Sequence, residues 1–127
     1  MSAELILMIE DNEKNRKLMR DVLQFQGYRT VESENAEEGL RMAGTLAPAL
    51  ILMDIHLPGM NGIEALRALR ADPETRNIPV MAVTASVMPQ DRQKVTSAGF
   101  DDYQSKPINV KEFPKAVEEI LKRGKSP

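Results

Sequence analysis

Four short stretches of this 127-residue chain end on groups able to do chemistry. Leu5-Ile-Leu-Met-Ile9 runs into Glu10 and Asp11, Leu50-Ile-Leu-Met53 into Asp54, Ile78-Pro-Val-Met-Ala-Val into Thr84, and a brief segment around Tyr103 into Lys106. The first three are too short and too evenly apolar for amphipathic helices, so they read as strands buried on both faces of a parallel sheet. In such a sheet functional groups gather at the carboxyl ends of the strands, near the switch in strand order. Three acids brought within ~5 Å of one another repel by roughly 3 kcal/mol per pair at an effective dielectric near 20. A hard divalent cation relieves that repulsion. Mg2+ suits the set, with Mn2+ as a substitute, because it takes oxygen ligands, keeps several waters and shares its shell with phosphate oxygens. Lys106 adds a positive charge and Thr84 a hydroxyl donor for an incoming anion. The set therefore describes a phosphoryl site in which Asp54 is the nucleophile and the product is an aspartyl phosphate.

The rest of the chain must bring these ends together. After Asn12, Leu18, Met19, Val22, Leu23 and Phe25 fall at helical spacing, with Lys14, Arg16, Lys17, Arg20 and Asp21 on the other face. Gly27 stops this helix at C′. Arg29 to Ser33 suits a strand near the sheet edge. Asn35 with Glu38 resembles a capping box opening a helix that buries Ala36, Leu40 and Ala43, weakened by Gly39 and Gly44 and closed by Pro48. Pro58, Gly59 and Gly62 force a turn that leaves Asp54 beside a loop. From Gly62 a third helix turns Ile63, Leu66 and Leu69 inward and Arg67 and Arg70 outward, ending at Asp72-Pro73.

A fourth helix, about Pro89 to Ser97, offers only Met88, Val95 and Ala98 to a core, so it is either loosely held or covered by a partner. Asn109 and Glu112 repeat the cap signal before a last helix with Val110, Phe113, Val117, Ile120 and Leu121 inward, and Gly124 ends it. Pro114 lies just past the first turn if Asn109 is the cap, so this helix is expected to start late or to bend. Strand and helix thus alternate five times, the α/β pattern of an open parallel sheet with helices on both faces.

The totals exclude several functions. The length suits one domain. A net charge of -2 and a pI near 5.5 provide no basic stripe for nucleic acid. The absence of cysteine rules out disulfides, zinc-thiolate sites and thiol catalysis. No apolar run approaches the roughly 20 residues of a membrane span, and no secretory pattern opens the chain. The expectation is a cytoplasmic protein without membrane contact.

With the Glu10-Asp11 pair, Asp54 in Leu-Met-Asp-Ile-His-Leu-Pro, Gly62, Thr84-Ala85, and Tyr103 before Lys106-Pro107, the chain resembles, from end to end, the CheY-like receiver domain of two-component response regulators. The resemblance implies a flavodoxin-like (βα)5 fold with strand order 2-1-3-4-5. It also implies phosphorylation of Asp54 from a phosphohistidine of a sensor histidine kinase or phosphotransfer protein. Mg2+ would be held by Asp11, Asp54 and the backbone carbonyl of His56, with Glu10 acting through water. Thr84 and Tyr103 would be the switch pair, altering the face formed by the fourth helix, fifth strand and fifth helix, where a downstream protein binds. His56 and Ser86 would tune the lifetime of the phosphate. The family's signalling proteins do not turn over a substrate, and a monomer or weak dimer is expected. Ending at Pro127, the chain looks like a stand-alone receiver with no output domain, and Ala82-Val-Thr-Ala85 and Tyr103-Gln-Ser-Lys-Pro-Ile108 are similar to the cell-cycle receivers of the DivK type.

Rival functions fit less well. A phosphatase of the haloacid-dehalogenase kind carries a second aspartate two residues after the first, where His56 stands. A nucleotide or flavin site needs a glycine- or hydroxyl-rich loop after the first strand, and Glu10-Asp11-Asn12-Glu13 would repel a phosphate there. A scaffold that keeps the fold without being phosphorylated is disfavoured by the intact acidic, Thr and Lys set.

Overall fold

A computed structural model describes residues 4–55, 57, 59–84, 93, 97–106 and 108–124. The chain runs β1 (Leu5–Ile9), α1 (Glu13–Phe25), β2 (Arg29–Ser33), α2 (Ala36–Leu46), β3 (Leu50–Asp54), α3 (Gly62–Ala71), β4 (Val80–Thr84), β5 (Asp102–Ser105) and α4 (Glu112–Gly124). The helix predicted over about Pro89 to Ser97 falls largely outside the described residues, Met88 and Val95 included. Gln93, Ser97 and Ala98 are helical. The five strands form one parallel sheet in the order β2-β1-β3-β4-β5. This is the flavodoxin-like, doubly wound fold.

Alternation along each buried strand divides the core in two. Ile6, Met8, Leu50, Leu52, Met81 and Val83 point to one face, under Met19 and Leu23 of α1 and Phe113, Val117, Ile120 and Leu121 of α4. Leu7, Ile9, Ile51, Met53 and Val80 point to the other, under α2 and α3. The strand methionines Met8, Met53 and Met81 are fully buried and serve as packing.

Several expectations change. In α1 the buried stripe is Arg16, Met19 and Leu23, with Leu18 and Val22 half-buried. Phe25, expected inside, is 88% exposed. Two residues beyond Leu23 is about 200° around a helix, which turns Phe25 away from the sheet. Arg16, expected outside, is buried. Val110 is 55% exposed because it precedes α4, in the turn where Asn109 Oδ1 accepts the N–H groups of Lys111 and Glu112. Leu40 and Ile63 are half-buried. Arg70, expected outward, is also half-buried, donating to the carbonyls of Arg76 and Ile78 and to Asp101. β4 begins at Val80, not Ile78, which is buried at the end of the preceding turn.

The cap of α2 is half a box. Asn35 accepts from the Glu38 N–H at 2.8 Å, but its own N–H turns to Ser33 Oγ. The complete capping box is at α3, between Asn61 and Glu64. α4 starts late, as Pro114 requires. As the third helical residue, Pro114 occupies a position whose N–H has no partner within the helix. Gly27 has φ +94°, the left-handed conformation that the predicted C′ position needs.

Candidate functional site

The topology dictates the site. The chain leaves β1 for β2 on one side and then crosses to β3 on the other, so β1 and β3 flank the switch point. Ile9 is in register with Met53, which sets Glu10 and Asp54 side by side one residue further on. Both share strand parity with the residues facing α1 and α4. Asp54 is in register with Val83, and Thr84 with Ser105, so Thr84 and Lys106 complete the rim. The Lys106 N–H donates to the Thr84 carbonyl at 2.8 Å.

Gly62 holds the acid's strand end from behind. Its N–H donates to the Ile55 carbonyl at 3.0 Å. A Cβ at this position would stand 2.7 Å from the Asp54 carbonyl oxygen and 2.9 Å from Ile55 Cα, closer than any side chain tolerates. The start of α3 therefore packs directly on the backbone that carries Asp54, and only glycine allows it.

One carboxylate oxygen from each of Glu10, Asp11 and Asp54 lies within 4.8 Å of the others. Glu10 and Asp54 are 1% and 4% exposed, whereas Asp11 is on the surface. The Lys106 ammonium touches Glu10 Oε1 and sits 3.2 Å from Asp54 Oδ2. Burial pushes the Glu10 carboxyl up to about 6. The hydrogen bonds from Lys106 and the Asn12 N–H act against this, and the Asp54 charge adds to it. Three acids and one ammonium leave a formal charge of -2 on an all-oxygen set. A hard divalent cation fits such a donor set, and a thiophilic one does not.

Thr84 is buried at the end of β4. Tyr103 is half-buried in β5, opposite Ala82, in a small cluster with Ile55, Ala82 and Phe100. Five of the expected site residues (Glu10, Asp11, Asp54, Thr84 and Lys106) thus come to one end of the sheet, with Tyr103 on the neighbouring strand. His56 and Ser86 lie outside the described residues, as does Pro107. Sequence reasoning missed Arg16, whose guanidinium donates to the Glu10 carbonyl at 2.8 Å. Its only signal was spacing, three and seven residues before the buried Met19 and Leu23.

A sheet of this order, with two acids after its first strand, an aspartate ending its third, a threonine ending its fourth and a lysine after its fifth, defines a class. The chain belongs to the response regulator receiver domain family, which it matches over residues 6–118, and so to two-component signalling. More particularly, it is 42% identical over 116 residues to the polar-differentiation response regulator DivK of Brucella anthropi, covering 91% of this chain and 94% of that protein. The DivK of Brucella ovis is 41% identical over the same shares.

Solved structures agree. The signal receiver domain of a histidine kinase from Syntrophus aciditrophicus superposes with a TM-score of 0.89 at 30% identity, covering 98% of this chain and 95% of its own. The receiver domain of a sensor histidine kinase from Pseudomonas aeruginosa, with a magnesium ion coordinated in its active site cleft, gives 0.88 at 30% identity over 95% and 99%. Among the described residues, no helix is long and apolar enough to cross a membrane.

Proposed function

We propose that Asp54 accepts a phosphoryl group from a phosphohistidine of a sensor kinase or phosphotransfer protein, and that the phosphorylated chain signals by changing its protein contacts. A carboxylate oxygen of Asp54 attacks phosphorus, the P–N bond to the donor imidazole breaks, and the imidazole leaves with its electron pair and takes a proton from solvent. Glu10, Asp11 and Asp54 would hold Mg2+, which supplies charge neutralisation for the phosphoryl oxygens. Lys106 already lies against the acceptor and can follow the charge onto the phosphate. The Thr84 hydroxyl donates to a phosphoryl oxygen. The observation that carries this reading is the convergence of three carboxylate oxygens within 4.8 Å beside the Lys106 ammonium at the switch point.

Neutralisation decides the chemistry, because phosphoryl transfer needs positioning and electrostatics more than covalent help. A bound phosphate carries about -1.5 to -2 charge, and it biases an existing equilibrium only as far as one conformation receives it better. Thr84 and Tyr103 lie on paired strands, so motion of the hydroxyl toward the phosphate is felt beside the ring. The face that changes is that of the fourth predicted helix, β5 and α4, where a downstream protein would bind. Incubation with Mg2+ and acetyl phosphate, followed by intact mass, tests the reading. The expected result is one phosphate adduct, abolished by chelator and by Asp54→Asn. A protein that stays unmodified under these conditions would be a binding scaffold instead.

A further inference from the structure

We propose that Arg16 is a positioning residue for the metal site, fixing the peptide unit that joins Glu10 to Asp11. The inference rests on reading Glu10, Asp11 and Asp54 as a divalent cation site. Arg16 spends its whole fork on directed contacts. Nε pairs with Glu32 Oε1 at 3.2 Å, one terminal nitrogen donates to the Glu10 carbonyl at 2.8 Å, and the other reaches Glu34 Oε1 at 3.4 Å. Glu32 is itself held by Arg20 at 2.7 Å. A guanidinium in the first turn of a helix is disfavoured by the helix dipole, and its burial adds a desolvation cost. Contacts across the β1 and β2 strand ends offset both.

The Glu10 carbonyl is the decisive acceptor. A peptide unit is planar, so fixing the Glu10 oxygen also fixes the Asp11 nitrogen and the direction in which Asp11 leaves the sheet. On its amino side Glu10 is already tied to the sheet, its N–H donating to the Ser33 carbonyl at 3.0 Å. Its side chain accepts from the Asn12 N–H at 3.1 Å. Asp11 is exposed and lies beyond the last β1–β2 and β1–β3 pairs, so its approach to the other two carboxylates follows the plane that Arg16 sets. A lysine could place a charge here, but its single nitrogen cannot span acceptors that the guanidinium reaches from three separate nitrogens.

Titration calorimetry of the full chain with MgCl2, at a temperature where circular dichroism shows each variant folded, is the test. Wild type should bind one Mg2+ and Asp54→Asn should lose it. If wild type binds none, the cation-site reading falls, and this proposal with it. If wild type binds, Arg16→Lys and Arg16→Ala should each weaken Mg2+ affinity by about tenfold or more, the effect expected of an outer-shell partner. Glu32→Gln should fall between them and wild type. Val22→Ala, on the same helix but away from the loop, should lower the melting temperature and leave Mg2+ affinity unchanged. Should Arg16→Ala fail to fold, Arg16→Lys and Glu32→Gln decide the matter. Arg16→Lys binding Mg2+ as tightly as wild type would overturn the proposal while leaving the cation site intact.

Discussion

Replacing Lys106 with methionine keeps most of the stem and removes the charge, with opposite consequences for metal binding and for chemistry. At 3.2 Å from Asp54 Oδ2 the ammonium attracts that carboxylate by roughly 5 kcal/mol at an effective dielectric of 20, a gross figure before desolvation. Without it, oxygens of Glu10 and Asp54 within 4.8 Å repel by at least about 3 kcal/mol on the same basis. The protein has a cheaper route than bearing this in full. Glu10 titrates at about 6 already, so protonating it at pH 7 costs only about 1.4 kcal/mol. The loss of stability in chelator at pH 7 should therefore be modest, about 1–3 kcal/mol. With the ammonium gone, Mg2+ no longer meets a neighbouring cation and needs only to displace the weakly held Glu10 proton, so it should bind at least about fivefold more tightly, since even ~1 kcal/mol of relieved repulsion is worth that factor. Phosphorylation by acetyl phosphate at saturating Mg2+ should slow by about 100-fold or more, the usual cost of losing a charge aimed at the transition state. Calorimetry and intact mass measure the two effects. Weaker Mg2+ binding together with an unchanged phosphorylation rate would refute the reasoning.

Other outcomes follow from the same geometry. The Glu10 carboxyl is raised from 4.5 to about 6, so between these values the folded state keeps a proton that the unfolded state has released. Its contribution is then a loss of stability as pH rises from about 4.5 through 6, reaching ~2 kcal/mol above that window. Denaturant unfolding in chelator should show this loss in wild type but not in Glu10→Gln, and Mg2+ should stabilise increasingly over the same window. Gly62→Ala must push against the Asp54 carbonyl. It should cost about 1–3 kcal/mol by thermal unfolding and slow Asp54 phosphorylation, whereas Gly44→Ala, whose added Cβ would enter open space, should do neither. Phe113→Ala should lose about 3–5 kcal/mol, while Phe25→Ser should stay within about 0.5 kcal/mol of wild type in denaturant unfolding.

The site was legible because its elements announce themselves locally. Three apolar runs end in an acid or a hydroxyl, and parallel strands put their ends on one side without any knowledge of distant contacts. Pro114 and Gly27 were legible for a similar reason, since each constrains its own backbone. Arg16 was not, because its principal acceptor is a backbone carbonyl, which has no sequence signature. Among Lys14, Arg16 and Lys17 the pattern of charge reads as a solvated face. Phe25 misled in the opposite sense, since an aromatic at the end of an apolar stripe looks buried unless its angle is counted. The full capping box at Asn61 and Glu64 stands plainly in the chain. It was overshadowed by Gly62, whose own role depends on how closely α3 approaches Asp54 and Ile55.

The proposed signalling turns on one covalent bond at a single carboxylate. Borohydride converts an acyl phosphate to an alcohol, so reducing the phosphorylated protein and mapping its peptides reads out the acceptor directly. Homoserine is expected at position 54 and nowhere else, dependent on Mg2+ during phosphorylation. Unreduced Asp54, with phosphate on His56 or Ser86, would contradict it.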